Sequence, residues 1–243
     1  LKAAERGQVA AQYSLALMYR EGRGVAKNPA KALEWMQAAA GNGEVNARAL
    51  LAWMYYKGEG VPQDLTEARR WFRTAAEQGE AQAQYLLALM AYKGEGGAKD
   101  MEEALHWCRM AARKGHAQAQ YLMGWWYYKG LGVGQDPAKA LPWFTRGAEG
   151  GEPLSQAMLC YIFRRGKGAE QDLEEARRWC TAAAEQGNVD AQYILGGMYW
   201  TGEGVARDPG QARAWAQKAA EQGDAGARDL VQEICRENPT LCQ

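Results

Sequence analysis

The chain has 243 residues, and its 29 Lys and Arg balance 29 Asp and Glu to a formal net charge of zero. With 47% apolar residues it can bury a large core, while the neutral balance and a pI near 6.9 argue against a nucleic-acid partner. The longest apolar runs, such as 85–92 and 121–128, are too short to span a bilayer. Two serines and two histidines leave little material for hydrolytic chemistry.

Taken in chain order, the first segment, 1–7, reads as the end of a helix. After it a pattern begins that returns every 36 residues: Gly22/Gly24, Gly58/Gly60, Gly94/Gly96, Gly130/Gly132, Gly166/Gly168 and Gly202/Gly204. Trp35, Trp71, Trp107, Trp143, Trp179 and Trp215 keep the same step. Six repeats are expected at 8–43, 44–79, 80–115, 116–151, 152–187 and 188–223, followed by a cap at 224–243. The opening segment matches the end of a second helix of such a repeat. The chain thus begins mid-repeat, and the lack of a leader before Leu1 carries no weight.

Each repeat reads as two helices. In the first, Ala11, Leu15, Met18 and Tyr19 recur at helical spacing and Gly22 follows as a stop signal. The second helix starts at Asn28-Pro29, a chemistry repeated at Asp136-Pro137 and Asp208-Pro209. Asp64/Glu67, Asp100/Glu103 and Asp172/Glu175 replace it with capping boxes. A helix pair this small cannot bury its apolar face alone, so the repeats must stack. The Trp column is the expected interlocking core. In the fourth repeat, Pro142 is expected to kink its helix and soften the joint to the fifth.

The register A-x(3)-L-x-x-M-Y-x-x-G-x-G-V, followed by D-x-x-x-A-x-x-W-x-x-x-A-A-x-x-G, resembles the Sel1-like repeat family, relatives of tetratricopeptide repeats. The resemblance covers nearly the whole chain. It implies an all-α fold, a right-handed α/α superhelical solenoid with a C-terminal capping helix, whose concave face holds other proteins.

On a helical wheel, the first helix of each repeat has a second arc opposite its packed side. Numbered by the first repeat, position 13 of that arc supplies Tyr13, Tyr85, Tyr121 and Tyr193, and position 17 supplies Trp53, Trp125 and Tyr161. Position 20 supplies Tyr56, Tyr92, Tyr128 and Trp200, with Arg20 and Arg164 in the other two repeats. Position 21 supplies Lys57, Lys93, Lys129 and Arg165. Trp, Tyr and Arg dominate binding hot spots, and a cationic row would steer an acidic segment of a partner protein. The plainer reading makes position 13 a packing position and the lysines helix-end charges.

Of the five cysteines, Cys108 and Cys180 share one position of the second helix and read as small core residues, as does Cys160. Cys235 and Cys242 flank a turn signal, and a bridge between them would staple the tail to the last helix. Exported bacterial members of the resembled family often carry cysteine pairs, which implies a periplasmic or otherwise exported protein. His106 and Cys108 point to different sides of their helix, and no zinc or phosphate motif occurs, so no catalytic residue, metal or cofactor is expected. The reading is a non-enzymatic, protein-binding scaffold. Its most specific form is an immunity-type protein that neutralises a secreted toxic effector such as a phospholipase; the alternative is an adaptor of an envelope assembly.

Overall fold

The computed structural model describes residues 1–242. All regular structure among them is helical: α1 (Lys2–Glu5), α2 (Val9–Glu21), α3 (Pro29–Gly41), α4 (Val45–Lys57), α5 (Leu65–Glu77), α6 (Ala81–Lys93), α7 (Met101–Arg113), α8 (Ala117–Lys129), α9 (Pro137–Glu149), α10 (Pro153–Arg165), α11 (Leu173–Glu185), α12 (Val189–Thr201), α13 (Pro209–Glu221) and α14 (Ala225–Glu237), with a final 3₁₀ turn over Pro239–Cys242. Within each compact unit consecutive helices pack on one another, and the fold is an all-α solenoid of 36-residue helix pairs. The chain forms two compact units, the first over Leu1–His116 and the second from Ala117 onward.

Local chemistry sets every boundary. The first helix of a repeat ends on a glycine in the left-handed region, as at Gly22 (φ 76°) and Gly94 (φ 78°). The second starts on an Asn or Asp whose side chain accepts a backbone N–H of its first turn, as Asn28 does from Lys31 and Asp64 from Thr66 and Glu67. The second glycine of the pair has another duty at Gly60, Gly96, Gly168 and Gly204. A Cβ on Gly60 would lie 2.8 Å from the ring of Pro29, so this glycine lets the loop of one repeat seat on the helix start of the repeat before.

Within a repeat, the two helices cross at complementary sizes. Ala16 meets the cluster of Met36 and Ala52 meets that of Phe72; a Cβ on Gly124 would stand 2.7 Å from the Phe144 ring. These residues are fully buried, and each large partner contributes about 2–3 kcal/mol of burial. One fully buried column of the second helix is therefore 36, 72, 108, 144, 180 and 216, one residue beyond the tryptophans and beside the equally buried alanines at 32, 68, 104, 140, 176 and 212. Trp35, Trp71, Trp107, Trp143 and Trp215 stay partly exposed at the edge of the core, and Trp179 is 7% exposed. Their indole bulk still packs: Trp71 lies against the clusters on both sides of it. A cation covers several outer faces, Arg70 at 4.7 Å from the Trp71 ring and Lys218 at 4.0 Å from Trp215.

Buried glutamines bolt neighbouring repeats together. Gln12, Gln84, Gln156 and Gln192 each donate to a carbonyl at the end of the preceding helix, at 3.0–3.3 Å. Gln12, Gln156 and Gln192 in turn accept from Asn42, Gln186 and Gln222 at 2.7–2.9 Å. Each amide satisfies one orphan carbonyl at the end of a helix that burial would otherwise penalise.

One cysteine expectation changes and another holds. Cys160 and Cys180 are not independent core residues; they form a disulfide between α10 and α11, Cα–Cα 4.8 Å. The reason is geometric, because they occupy the same crossing pair as Ala52 and Phe72, where the two backbones come closest. Cys235 and Cys242 are bridged as well, Cα–Cα 5.6 Å, tying the 3₁₀ turn to the end of α14. Cys108 is buried and belongs to neither bridge. Pro142 leaves α9 a single unbroken helix of 13 residues.

Candidate partner-binding surface

In the second unit, the outward arcs of α8, α10 and α12 enclose a cleft of about 480 Å³. Tyr121 and Trp125 of α8 form one wall, Leu154, Ala157, Met158 and Tyr161 of α10 the floor, and Tyr193 and Ile194 of α12 the other wall. Ala157 makes the room: it stands where Tyr121 and Tyr193 stand in the adjacent repeats. Three of the most exposed large apolar side chains of the chain converge here, Leu154 (46%), Tyr161 (38%) and Tyr193 (40%). Tyr121 and Trp125 stack at 6.3 Å between centroids, so the aromatic wall is braced before any ligand arrives.

Charge differs between the two ends. At the C-terminal ends of these helices stand Arg164 and Arg165, with the Lys129 ammonium 4.8 Å from the Trp125 ring and Lys167 5.6 Å from that of Tyr128. Arg164 is committed elsewhere, gripping Glu203 through both its Nε and Nη2 at 2.7–3.0 Å. At the N-terminal end Asp190 is exposed, and Asn188 is occupied as the cap of α12.

The other residues expected on this face separate into groups. Trp200 and Tyr128 are not available to a partner, at 8% and 6% exposure. Trp200 is roofed by α14: it packs with Leu230 and Ile234, donates to Glu233 at 3.2 Å and lies 4.5 Å under the Arg207 guanidinium. Tyr128 is enclosed by Phe144, Trp125 and Tyr161, and burial pushes its phenol pKa up, helped by the hydrogen bond with Tyr161. Position 20 is more generally a link to the next repeat. Tyr56 donates to Glu95 at 3.0 Å, as Arg164 grips Glu203, because the helix end points at the following interhelical loop. Burial first, and then Glu95, hold the Tyr56 phenol above its ordinary range.

In the first unit, Trp53 lies edge-on to Tyr56 and Phe72, at 5.5 and 5.8 Å, with Lys57 5.8 Å from its ring. Tyr92 is partly buried with Lys99 at 5.0 Å, and Lys93 pairs with Glu95 at 3.6 Å. Trp53 and Trp125 each rest one face on a core cluster, so they serve packing and surface together. Sequence reasoning missed Leu154, Met158 and Ile194; their signal was an apolar residue at positions 10 and 14, which solvent would not select.

Among the described residues no cluster of His, Cys, Asp and Glu could hold a metal ion, and no helix is long and apolar enough to cross a membrane. His106 lies edge-on to Trp107 and His116 stacks on Tyr85 at 4.7 Å, each an aromatic contact rather than part of a nucleophile–base pair.

The fold and this surface define a helical repeat scaffold. The Sel1 repeat model matches residues 9–44, 45–80, 81–116, 117–152, 153–188 and 189–224, and the chain belongs to that family. A protective antigen of uropathogenic Escherichia coli with an SLR fold is 35% identical, with a TM-score of 0.93 over 97% of this chain and 50% of its own. This chain thus spans about half the length of that protein. A Sel1 repeat protein from Oxalobacter formigenes is 34% identical, with a TM-score of 0.76 over 88% of this chain and 85% of its own. An immunity protein of Pseudomonas aeruginosa aligns over 93% of this chain at 17% identity and a TM-score of 0.49, too low to carry an argument. No curated protein matches the chain.

Proposed function

We propose that this chain is a non-enzymatic scaffold that captures one partner protein in the cleft between α8, α10 and α12. The observation that carries the reading is the convergence of Leu154, Tyr161 and Tyr193, all well exposed, around one aromatic-walled hollow. Solubility gains nothing from such a cluster, whereas a partner that covers it gains buried area at low entropic cost. Two disulfides in one chain support an oxidising compartment, the periplasm or beyond the cell. In its most specific form the scaffold is an immunity-type protein that occludes a secreted toxic effector, since a single cleft suits one-to-one capture. The separate Trp53–Tyr56–Lys57 group favours a second reading, an adaptor that holds an additional component.

The test is co-expression with the products of adjacent genes. A stoichiometric complex is expected on size-exclusion chromatography, together with rescue from the partner's toxicity. Leu154→Ala combined with Tyr193→Ala, both exposed in the cleft, should abolish the complex while the helical melt stays put. Loss of the complex only together with loss of the melt would overturn the cleft reading. A stable complex with a harmless structural partner would replace the immunity form with the adaptor.

A further inference from the structure

We infer that the occupant of this cleft is an extended segment with a fixed charge order: a cationic residue, a bulky apolar pair, then one or two carboxylates. The inference rests on the capture reading above and adds the chemistry and direction of what is captured. Its basis is the split of charge along the cleft. Leu154 and Arg164 bracket α10 ten positions apart, about 15 Å at 1.5 Å per residue. An extended chain covers that length with about four or five residues at roughly 3.3 Å each. The apolar middle, with Tyr121, Met158, Tyr161 and Ile194, has room for one aromatic and one aliphatic side chain in its about 480 Å³.

The two ends then differ in sign. Glu203 cancels Arg164, which leaves Arg165, Lys129 and Lys167 as exposed cations around the C-terminal end. Lys129 and Lys167 sit over aromatic faces that keep them beside the cleft instead of free in solvent. Asp190 is the exposed carboxylate at the other end. A segment laid with its acidic residues toward Arg165 and its cation toward Asp190 meets opposite charge at both ends; the reverse orientation meets like charge at both. A nucleic acid strand would set phosphates against Asp190 and leave the apolar floor uncovered.

The test uses a phage-displayed library of random heptapeptides selected on the full oxidised chain, with the selected peptides resynthesised and measured by fluorescence anisotropy. Selected peptides should carry Trp, Phe or Leu with Asp or Glu within three positions on one side and Lys or Arg on the other, in either chain direction. Tyr161→Ala should remove binding, Arg165→Glu should weaken it by about tenfold, and raising salt from about 0.05 M to about 0.5 M should weaken it further. Arg165 is exposed, so Arg165→Glu should melt with the wild type, and Arg165→Gln, with a smaller loss, serves should Arg165→Glu fail to fold. Because Tyr161 also partners the buried Tyr128, Tyr161→Ala is read beside Tyr193→Ala, an exposed residue of the same cleft that should lower binding with the melt unchanged. Peptides that need Tyr161 but carry no acidic residue, or ignore Arg165→Glu, overturn the charge order and leave capture in the cleft standing. Peptides indifferent to Tyr161→Ala overturn the inference and the cleft reading together.

Discussion

At the residue scale, the most informative pair is Gly147 and Ser155. Every other repeat places alanine at the position of Ser155, and every other repeat places alanine at that of Gly147. A Cβ on Gly147 would collide with the Ser155 hydroxyl, which is itself buried with no hydrogen-bond partner among the described residues. The two departures compensate one another. Gly147→Ala alone should therefore cost about 1–3 kcal/mol in overpacking, offset by about 1 kcal/mol of helix propensity. With Ser155→Ala also present the hydroxyl clash disappears and only the close Cβ–Cβ approach of 3.1 Å remains, so urea unfolding of the four-member cycle should show a coupling of about 1–2 kcal/mol. Additive single effects would mean that the helices shift to absorb the methyl.

His116 gives the pH prediction at the same scale. Its ring stacks on Tyr85 and lies 2.8 Å from the Gln82 side-chain oxygen, and desolvation lowers its pKa, only partly opposed by the Glu80 charge. A base whose folded pKa lies below its unfolded value, about 6.5, binds more protons when unfolded. Its contribution is intact above that pH and declines as the pH falls through it. His116→Gln should flatten the loss of stability between about pH 7 and about pH 5 in thermal melts, relative to the wild type.

At the element scale, α10 is the busiest helix. It floors the cleft, anchors Glu203 of the next loop through Arg164, and is cross-linked to α11. Reducing the chain should remove about 3 kcal/mol of stability for the Cys160–Cys180 loop, in addition to what the shorter Cys235–Cys242 loop contributes, read as a lower urea midpoint. Trp71→Ala should cost about 3–5 kcal/mol because its indole joins two clusters. Tyr193→Ala, on the exposed arc, should change the melt little. Equal losses from the two would show that packed and open arcs are not distinct.

This is also the scale at which the sequence was most and least readable. Helix limits, loop glycines and the open arc follow from 36-residue spacing, since caps and periodicity act within a few residues. The cross-link was hidden because Cys160 and Cys180 stand in for Ala and Phe, a size pairing visible only once the crossing is known. The buried column was hidden behind the tryptophans: it tolerates Met, Phe, Cys and Ala, so its identity varies while its burial does not. Trp200 followed the repeat pattern but lies beside α14, which belongs to no complete repeat and covers what inner repeats leave open.

At the scale of the whole molecule, both disulfides lie in the second unit, as does the cleft. Hydrogen exchange under reducing conditions should thus deepen in α10–α14 and stay nearly unchanged in α2–α6. Equal loosening of both units would show that the cross-links act on the chain as one cooperative body.

The Gly147–Ser155 pair and the Tyr56–Glu95 and Arg164–Glu203 links all cross from one repeat into the next. The exchangeable module of this protein is accordingly not the 36-residue repeat that the eye finds first. A cassette that pastes one repeat over another separates Gly147 from Ser155, whereas one cut in mid-repeat, at the interhelical loops, carries the two together; the Tyr56–Glu95 and Arg164–Glu203 links, 39 positions apart, are cut by either. Grafting experiments, and the shuffling by which such arrays grow, should succeed more often at those seams.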